Sequence, residues 1–480
     1  MIKFKEDFIN KEVLIMGLGT KGGGVGSTRF AYKNGAKITI TDLEDEEYLQ
    51  ESIEALRDIP ARFVLGRHDE KDFKSHDIII KNPGIQDENR FVRIANNYHK
   101  IIETPIGIFS ELNKRPFIGI TGTKGKSFTS DLVNHLLSCF GLKTIVAGNN
   151  CVSPLMYLEE DVDFVLELSS WQLRELNKHK KSPNIACWLN FFADHLNYYN
   201  DLCEYFEDKN SILKHQNCDD FCILPFNDKH LSAMPGMAKK ILFTSEEIVQ
   251  STLPESVDIC FVHQGYITLI MNGVNLKLVR FEQLEPQLRI KHHFELVIAA
   301  ICIVYVYLIK FHDNYSIDGN DLLEALNSYK GIEHRFEIVF NNTHCTIIND
   351  SAASTPESAI CALQACRHKK IILIAGGGGH KNLSYLNLVN EIINRKVFVI
   401  LFNNDDTSII FKQYFDDVKY DKYHFVDSLK EACKMAYYLV QKEDATLLMS
   451  PACSGAPFFR DMFERGSLFK KYIFKLLDEN

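Results

Sequence analysis

Short apolar runs recur along this chain, and most of them stop at glycine or at a polar pair. EVLIMG opens the glycine-dense turn GLGTKGGGVGS (17–27), Lys37–Thr41 ends at Asp42, and Asp77–Ile80 meets Lys81-Asn82-Pro83-Gly84. Phe117–Ile120 enters GITGTKGKS (119–127), and later runs close in AGNN (147–150), VLELSS (165–170) and WLNFFADH (188–195). Beyond Gly331 come a run ending at Asn349-Asp350, Ile371–Ala375 with glycines at 376–379, Val397–Phe402, and Thr446–Met449 entering Ser450-Pro451-Ala452. Apolar runs bounded by turn residues read as buried strands, with helices between them. The alternation predicts an α/β protein with mostly parallel sheets. Boundaries at 106 and 331 divide it into a Rossmann-like N-terminal domain (1–106), a central domain (107–331) and a Rossmann-like C-terminal domain (332–480). The longest apolar stretch, Leu296–Ile309, has 14 residues. It is too short to span a bilayer and predicts a buried helix over His292–Ile309.

Length and composition narrow this picture. A chain of 480 residues agrees with about three domains, and 46% hydrophobic residues supply an ample core. The formal charge of −9 argues against a nucleic-acid partner held by a basic face. The basic cluster Lys178–Lys181 reads as a solvated loop. Thirteen scattered cysteines without a CxxC pair read as reduced thiols, mostly in the core. The charged N-terminus MIKFKEDFINKE carries no secretory pattern. A cytoplasmic protein without membrane insertion is expected.

The densest chemistry lies at 119–127. A strand, a turn with Gly-Lys-Ser and a helix from Ser127 to about Leu137 form a phosphate cradle: backbone N–H groups line the turn, the helix N-terminus faces the anion, and Lys126 adds charge. The usual template would need glycine at position 120, which is isoleucine, so this is a shorter variant built on Gly122 and Gly125. Ser127 would place its hydroxyl on Mg²⁺. Glu167, at the end of a run, is a candidate Mg²⁺ ligand beside it. Asp194-His195 ends another run, where His195 reads as a metal or catalytic group. Lys209, 14 residues on, falls on a helix and by itself reads as a solvated lysine. In the first domain, Gly17-x-Gly19-x-x-Gly22 matches the dinucleotide fingerprint, with Asp42 at the end of the second strand. The further glycines to Gly26 predict a helix that starts later than the fingerprint requires. NAD and other nucleotides both remain open on this pattern.

Read together, GTKGKS, GNN, ELSSWQL, LNFFADHLNYY, GIEHRFE, INDSAAST and LMSPACSGAPFFRDMFERG resemble the Mur ligase family, in the family's order over nearly the whole chain. ELSSWQL and SPAC…FERG are the most specific of these. The resemblance implies a UDP-binding N-terminal domain, a central P-loop ATPase domain and a mobile C-terminal domain that carries an amino-acid site, hinged near Gly331. It implies ATP-dependent addition of D-glutamate to UDP-N-acetylmuramoyl-L-alanine, through an acyl phosphate, by a cytoplasmic monomer acting on small molecules. It also sets NAD aside: Gly19, Thr20, Asp42, Pro83 and Gly84 would hold the UDP end of the substrate. Asn149, Ser169, Gln172 and His195 would orient its other arm. Gly122, Thr123, Lys124, Gly125, Lys126, Ser127 and Phe128 would bind ATP, joined by Arg335 at the γ-phosphate and Asp350 at the ribose. Two Mg²⁺ ions are implied, one on Ser127 and Glu167, the other on His195 and a carbamoylated Lys209. Lys126, His195 and Lys209 would be the catalytic set.

The chain departs from the family pattern at three places. The His-Asn pair before the core helix, whose asparagine lies near adenine, reads His292-His293. Asp-Ser-Lys-Ala-Thr-Asn reads Asp350-Ser351-Ala352-Ala353-Ser354-Thr355, without the lysine. The Ser-Leu after the SPAC motif reads Gly455-Ala456, and the usual downstream Phe is Met462. Lys381 still aligns with the lysine that pairs with the glutamate side chain. Ser354, Lys381, Gly455, Ala456 and Met462 therefore outline an acidic amino-acid pocket whose stereochemistry rests on altered contacts. Addition of L-glutamate or another acidic amino acid is the alternative, as is a non-catalytic nucleotide-binding homologue.

Overall fold

The structure is a computed structural model. It describes all residues except 1, 21, 151, 194–198, 200, 254–256, 313–316, 367, 369, 379–382, 404, 442–443, 457 and 480. The chain forms two compact units: Met1–Arg289 with His293–Ser328, and Ile290–His292 with Tyr329–Asn480. The main division falls between Ser328 and Tyr329.

The first unit holds two sheets. The N-terminal one comprises β1 (Glu12–Met16), β2 (Lys37–Thr41), β3 (Ala61–Val64), β4 (Ile78–Lys81) and β5 (Ile101–Glu103). It is parallel throughout, in the order β3-β2-β1-β4-β5. The order reverses between β1 and β4, and in such sheets ligands bind outside the strand carboxyl ends at that point. The second sheet comprises β6 (Phe117–Thr121), β7 (Thr144–Gly148), β8 (Asp163–Glu167), β9 (Ile185–Trp188), β10 (Phe221–Pro225), β11 (Lys239–Glu247), β12 (Ile259–His263), β13 (Tyr266–Met271) and β14 (Val274–Arg280). Its order is β14-β13-β12-β11-β10-β9-β6-β8-β7, parallel except where β12, β13 and β14 run antiparallel as an edge meander. Burial of Val297–Val304 explains the long apolar run: it is the centre of the Lys291–Phe311 helix, packed inside the protein. By length and composition the segment His293–Phe311 could cross a membrane, and two thirds of it is buried here instead.

Two expectations about this unit change. The helix after β1 begins at Gly23, with Gly22 as its N-cap at φ 76°, so it starts where the fingerprint places it. The later glycines serve close approach. A Cβ on Gly24 would lie 2.3 Å from the Leu18 carbonyl oxygen, and one on Gly26 2.5 Å from Ser153 Cβ. Lys178 is no solvated loop residue. It ends the Ser170–Lys178 helix and pairs with Asp87 at 2.6 Å and Glu175 at 2.8 Å. Buried Lys81, at the tip of β4, reaches Asp87 and Glu175 as well. His179 sits between Glu103 (3.0 Å) and Glu111 (3.1 Å); burial pushes its pKa down, and the two carboxylates outweigh that and raise it. These pairs tie the N-terminal sheet to the helix that follows β8.

The second unit is a six-stranded sheet of β15 (Glu337–Asn341), β16 (Cys345–Asn349), β17 (Lys370–Ile374), β18 (Phe398–Phe402), β19 (Tyr423–Val426) and β20 (Ala445–Met449), ordered β15-β16-β20-β17-β18-β19. Only β15 is antiparallel. At the carboxyl ends of β16 and β20, Asp350 accepts hydrogen bonds from the Ser450 hydroxyl (2.7 Å) and the Phe336 N–H (3.1 Å). Burial raises its pKa to about 7.

Two outcomes are expected. Gly24→Ala should lower stability in urea unfolding by about 1–3 kcal/mol through overpacking, whereas Gly23→Ala, which meets nothing within 4 Å, should leave it unchanged. Asp350 has a folded pKa near 7 against 3.8 in the open chain. The folded state therefore holds the proton more tightly, and the stability this contributes is full below about pH 4 and lost as pH rises to about 7. Melting temperatures over that range should converge on a flatter profile in Asp350→Asn; an equal slope in both proteins would contradict the assignment.

Candidate functional site

The phosphate turn joins β6 to the helix Lys126–Cys139, with Gly125 as N-cap at φ 87°. A Cβ at Gly125 would strain the backbone and lie 2.7 Å from Leu296 Cδ2. Lys126 arches back over the turn, its Nζ donating to the carbonyls of Gly122 (2.8 Å) and Thr123 (3.2 Å). Ser127 is the second residue of the helix. The ring of Phe128 stacks on His293, centroids 4.4 Å apart and 17° from parallel. The position where the family pattern has asparagine thus carries a histidine packed on the residue that follows Ser127.

Asn190 holds the outer side of this turn, which sequence reading missed. Its Oδ1 accepts from Lys124 N–H at 2.9 Å, its Nδ2 donates to the Lys124 carbonyl at 3.0 Å, and its own carbonyl accepts from Thr123 N–H. The Thr123 hydroxyl meanwhile accepts from Phe192 N–H. β9 ends at Trp188, so residues 188–193 form a strand tip followed by a loop bound to the phosphate turn. Asp194 and His195 lie outside the described residues.

Glu167 ends β8, paired in register with Ile120 of β6 and Gly148 of β7. It is 2% exposed. Its Oε1 accepts from Asn149 Nδ2 at 2.7 Å, and its buried Oε2 has no hydrogen-bond partner among the described residues. A bare carboxylate oxygen out of water is costly unless a cation meets it. Lys209 is not solvated. It lies on the Leu202–Lys214 helix, 1% exposed, with Nζ donating to the Gly122 carbonyl (3.1 Å) and the Thr121 hydroxyl (3.3 Å). The apolar helix face and the ring of Tyr205, 5.0 Å from Nζ, carry it inward. Lys126, Lys209 and Glu167 therefore converge on one turn. Among the described residues no three His, Cys, Asp or Glu side chains gather as a metal cluster. The donor set that fits Mg²⁺ is oxygen from Glu167 and Ser127.

Ser169 and Gln172 form a capping box at the start of the Ser170–Lys178 helix, the Gln172 Oε1 accepting from Ser169 N–H at 3.0 Å. In the N-terminal sheet, Asp42 accepts from Gly19 N–H at 3.0 Å and Glu44 N–H at 3.1 Å, so its carboxylate shapes the glycine turn. Thr20 is exposed beside it. Asn82 caps the next turn, its Oδ1 accepting from Gly84 N–H, with Pro83 between them. Gly19, Asp42, Pro83 and Gly84 thus share the carboxyl edge at the β1/β4 switch.

In the second unit, buried His334 meets Asn349 Nδ2 at 2.9 Å, with Arg335 exposed next to it. Arg465, 1% exposed, binds the Ser351 hydroxyl and carbonyl and the carbonyls of Cys453 and Ser454. Asp405 accepts from the Gly377 and Gly378 N–H groups at 3.0 and 2.8 Å. Neither Arg465 nor Asp405 was singled out from sequence, although Arg465 lies within the FERG motif. Ser354 and Met462 border the same loops. Gly455 has no room for a side chain, since a Cβ would lie 2.5 Å from the Asp461 carbonyl carbon. Ala456 is exposed beside it. Lys381 lies outside the described residues.

Comparison with known proteins agrees with this geometry. Residues 120–281 match the Mur ligase middle domain and 334–453 the Mur ligase glutamate ligase domain. A UDP-N-acetylmuramoylalanine–D-glutamate ligase of Borreliella afzelii is 32% identical over 479 residues, 98% of each chain. One from a Roseiflexus species is 31% identical, over 96% of this chain and 98% of that protein. Among solved structures, the fold resembles UDP-N-acetylmuramate–alanine ligase of Thermotoga maritima (TM-score 0.57, 18% identity, 98% and 100% coverage). It also resembles a MurF ligase of that organism in complex with ADP (TM-score 0.54, 16% identity, 99% and 98% coverage). With a phosphate turn, strand-end carboxylate and buried lysine brought together, and full-length relatives above 30% identity, the chain belongs to the Mur ligase family.

Proposed function

We propose that this protein is an ATP-dependent ligase that joins D-glutamate to UDP-N-acetylmuramoyl-L-alanine, releasing ADP and phosphate, in the cytoplasmic synthesis of peptidoglycan precursors. The convergence of Lys126, Lys209 and the partly unpartnered Glu167 carboxylate on one phosphate turn carries the reading; full-length identity to ligases of that name supports it. The proposed protein acts as a monomer.

The chemical problem is a carboxylate, whose delocalised charge repels an incoming amine. Transfer of the γ-phosphoryl group of ATP to a carboxylate oxygen of the alanyl group expels ADP and leaves an acyl phosphate. The glutamate amine then attacks the acyl carbon, and the tetrahedral intermediate collapses to the amide with loss of phosphate and of the amine's proton. Negative charge accumulates on oxygens throughout, so stabilising it is the main task of the site.

Lys126 and the N–H groups of 122–127 would hold the β- and γ-phosphates, with Phe128 and His293 beyond them. Ser127 and Glu167 would hold one Mg²⁺, and His195 with a carbamoylated Lys209 a second. The ions would supply Lewis-acid polarisation of phosphoryl oxygens. Carbamoylation would turn Lys209 from a buried cation into an anionic oxygen ligand. Gly19, Thr20, Asp42, Pro83 and Gly84 would seat the UDP group, and Asn149, Ser169 and Gln172 would orient the alanyl arm. Arg335 and Asp350 would contact ATP. Ser354, Lys381, Ala456 and Met462 would contact the amino acid.

One observation favours a second reading, addition of L-glutamate or another acidic amino acid. A Cβ at Gly455 would lie 2.5 Å from the Asp461 carbonyl carbon, so the loop as packed here has no room for the serine of the family's Ser-Leu pair.

With purified protein, ATP and UDP-N-acetylmuramoyl-L-alanine, ADP release should require D-glutamate and yield an amide with the expected mass increment. A preference for the L isomer would select the second reading, and AMP with pyrophosphate would remove the acyl-phosphate route. Lys126→Ala should lower kcat by about 10²–10³-fold, the size expected for deleting one charge-stabilising group. Unchanged turnover would refute its role.

A further inference from the structure

The Arg174 guanidinium grips the helix that carries Lys209 at two levels. Its Nε donates to Asp208 Oδ2 at 2.7 Å, and its Nη2 donates to Glu204 Oε1 at 2.9 Å, one turn earlier. The same guanidinium lies 5.5 Å over the ring of Tyr199, whose hydroxyl donates to Asp208 Oδ2 at 2.9 Å. One carboxylate oxygen is therefore held from two sides, by the helix that follows β8 and by the loop that precedes the Leu202–Lys214 helix.

This placement has a geometric consequence. Asp208 and Lys209 are consecutive, so their side chains leave the helix about 100° apart. Fixing Asp208 on one face fixes the direction of Lys209 on the next, toward Gly122 and Thr121. Holding Glu204 too sets the position of the helix along its axis. Arg174 itself is anchored: its helix starts at the Ser169–Gln172 capping box, two residues after Glu167. A single guanidinium thus joins the helix that follows the Glu167 strand to the helix that carries Lys209. Lysine at this position could not do the same, because its point charge lacks the fork that engages two carboxylates at fixed angles.

We infer that Arg174 is a positioning residue that sets the distance and direction of Lys209 relative to Glu167 at the phosphate turn. The inference rests on the proposed role of Lys209 and Glu167 as neighbouring cation ligands. Arg174 touches no reacting atom; it acts through Asp208, Glu204 and Tyr199.

The test uses the full-length protein with Arg174→Met, Arg174→Lys and Tyr199→Phe. Mn²⁺ affinity of the ATP-loaded protein is read by electron paramagnetic resonance, and kcat is read separately from the KM for the UDP-sugar. Arg174→Met should lower kcat and Mn²⁺ affinity by about 10–100-fold, as loss of a group behind a metal ligand does, with an unchanged UDP-sugar KM. Arg174→Lys should recover part of the loss. If Arg174→Met fails to fold, Tyr199→Phe, which removes one hydroxyl, should show the same pattern on a smaller scale. Wild-type kcat and Mn²⁺ affinity in folded Arg174→Met overturn the inference, as do wild-type values in Tyr199→Phe where Arg174→Met is unfolded. A lower melting temperature with raised KM and unchanged Mn²⁺ affinity also overturns it, by showing a merely structural role. Full activity in Lys209→Ala would instead remove the underlying reading of Lys209, whatever Arg174 does.

Discussion

Glu167 and Lys209 are withdrawn from water at the carboxyl ends of parallel strands, and the cost of keeping them there governs the centre of this protein. A buried ionised group is tolerated only where compensating charge and hydrogen bonds meet it. Lys209 finds a carbonyl and a hydroxyl of the phosphate turn. Glu167 finds Asn149 on one oxygen and, among the described residues, no partner on the other. The fold thus stores an unsatisfied electrostatic demand beside a turn already shaped for anions. A carboxylate oxygen left unmatched next to a turn of backbone N–H groups is suited to an anion that arrives with its own counter-cations.

Close packing fixes that geometry. Leu296, from the apolar Lys291–Phe311 helix, presses against Gly125, and the Glu167 carbonyl lies where a Cβ on Gly148 would be, at 2.4 Å. Glycine at these points lets strand ends and turn approach within contact distance while adopting positive φ, 87° and 104°. Asn190 then locks the outer side of the turn through its side-chain amide. Apolar burial and polar demand work together here: the core brings the strand ends together, and the hydrogen bonds choose which atoms face the turn.

Much of this was legible in the sequence. Strand runs such as Lys37–Thr41 and Val397–Phe402 were bounded by turn residues, and the phosphate turn was flanked by a strand and a helix in the right order. The antiparallel edge β12–β14 escaped because β12 and β13 are short apolar runs that carry no motif at their ends, and β14 alternates with polar residues. The start of the first helix was misplaced because glycine signals both a turn and a close helix–backbone contact, and only packing separates the two at Gly24 and Gly26. Lys209 looked like a solvent-facing lysine, since burial of a long cation depends on partners far along the chain, here Gly122; Lys178 is exposed, and what escaped was its place on a helix and its pairing with Asp87. Asn190, Asp405 and Arg465 were missed for a related reason. They organise backbone, and a side chain that serves main-chain carbonyls and N–H groups leaves no spacing rule in one sequence.

The Arg465 clamp has a consequence for recognition in the C-terminal unit. One buried guanidinium holds the segment after β16 through Ser351, the segment after β20 through Cys453 and Ser454, and its own helix. Burial lowers its pKa, yet an arginine stays charged at any physiological pH, so the attachment does not switch off with acidity. Loops fastened in this way keep their shape before a guest arrives, and the entropy of arranging them has been spent during folding instead of at the encounter. Such loops offer an incoming small molecule a mould that is already set.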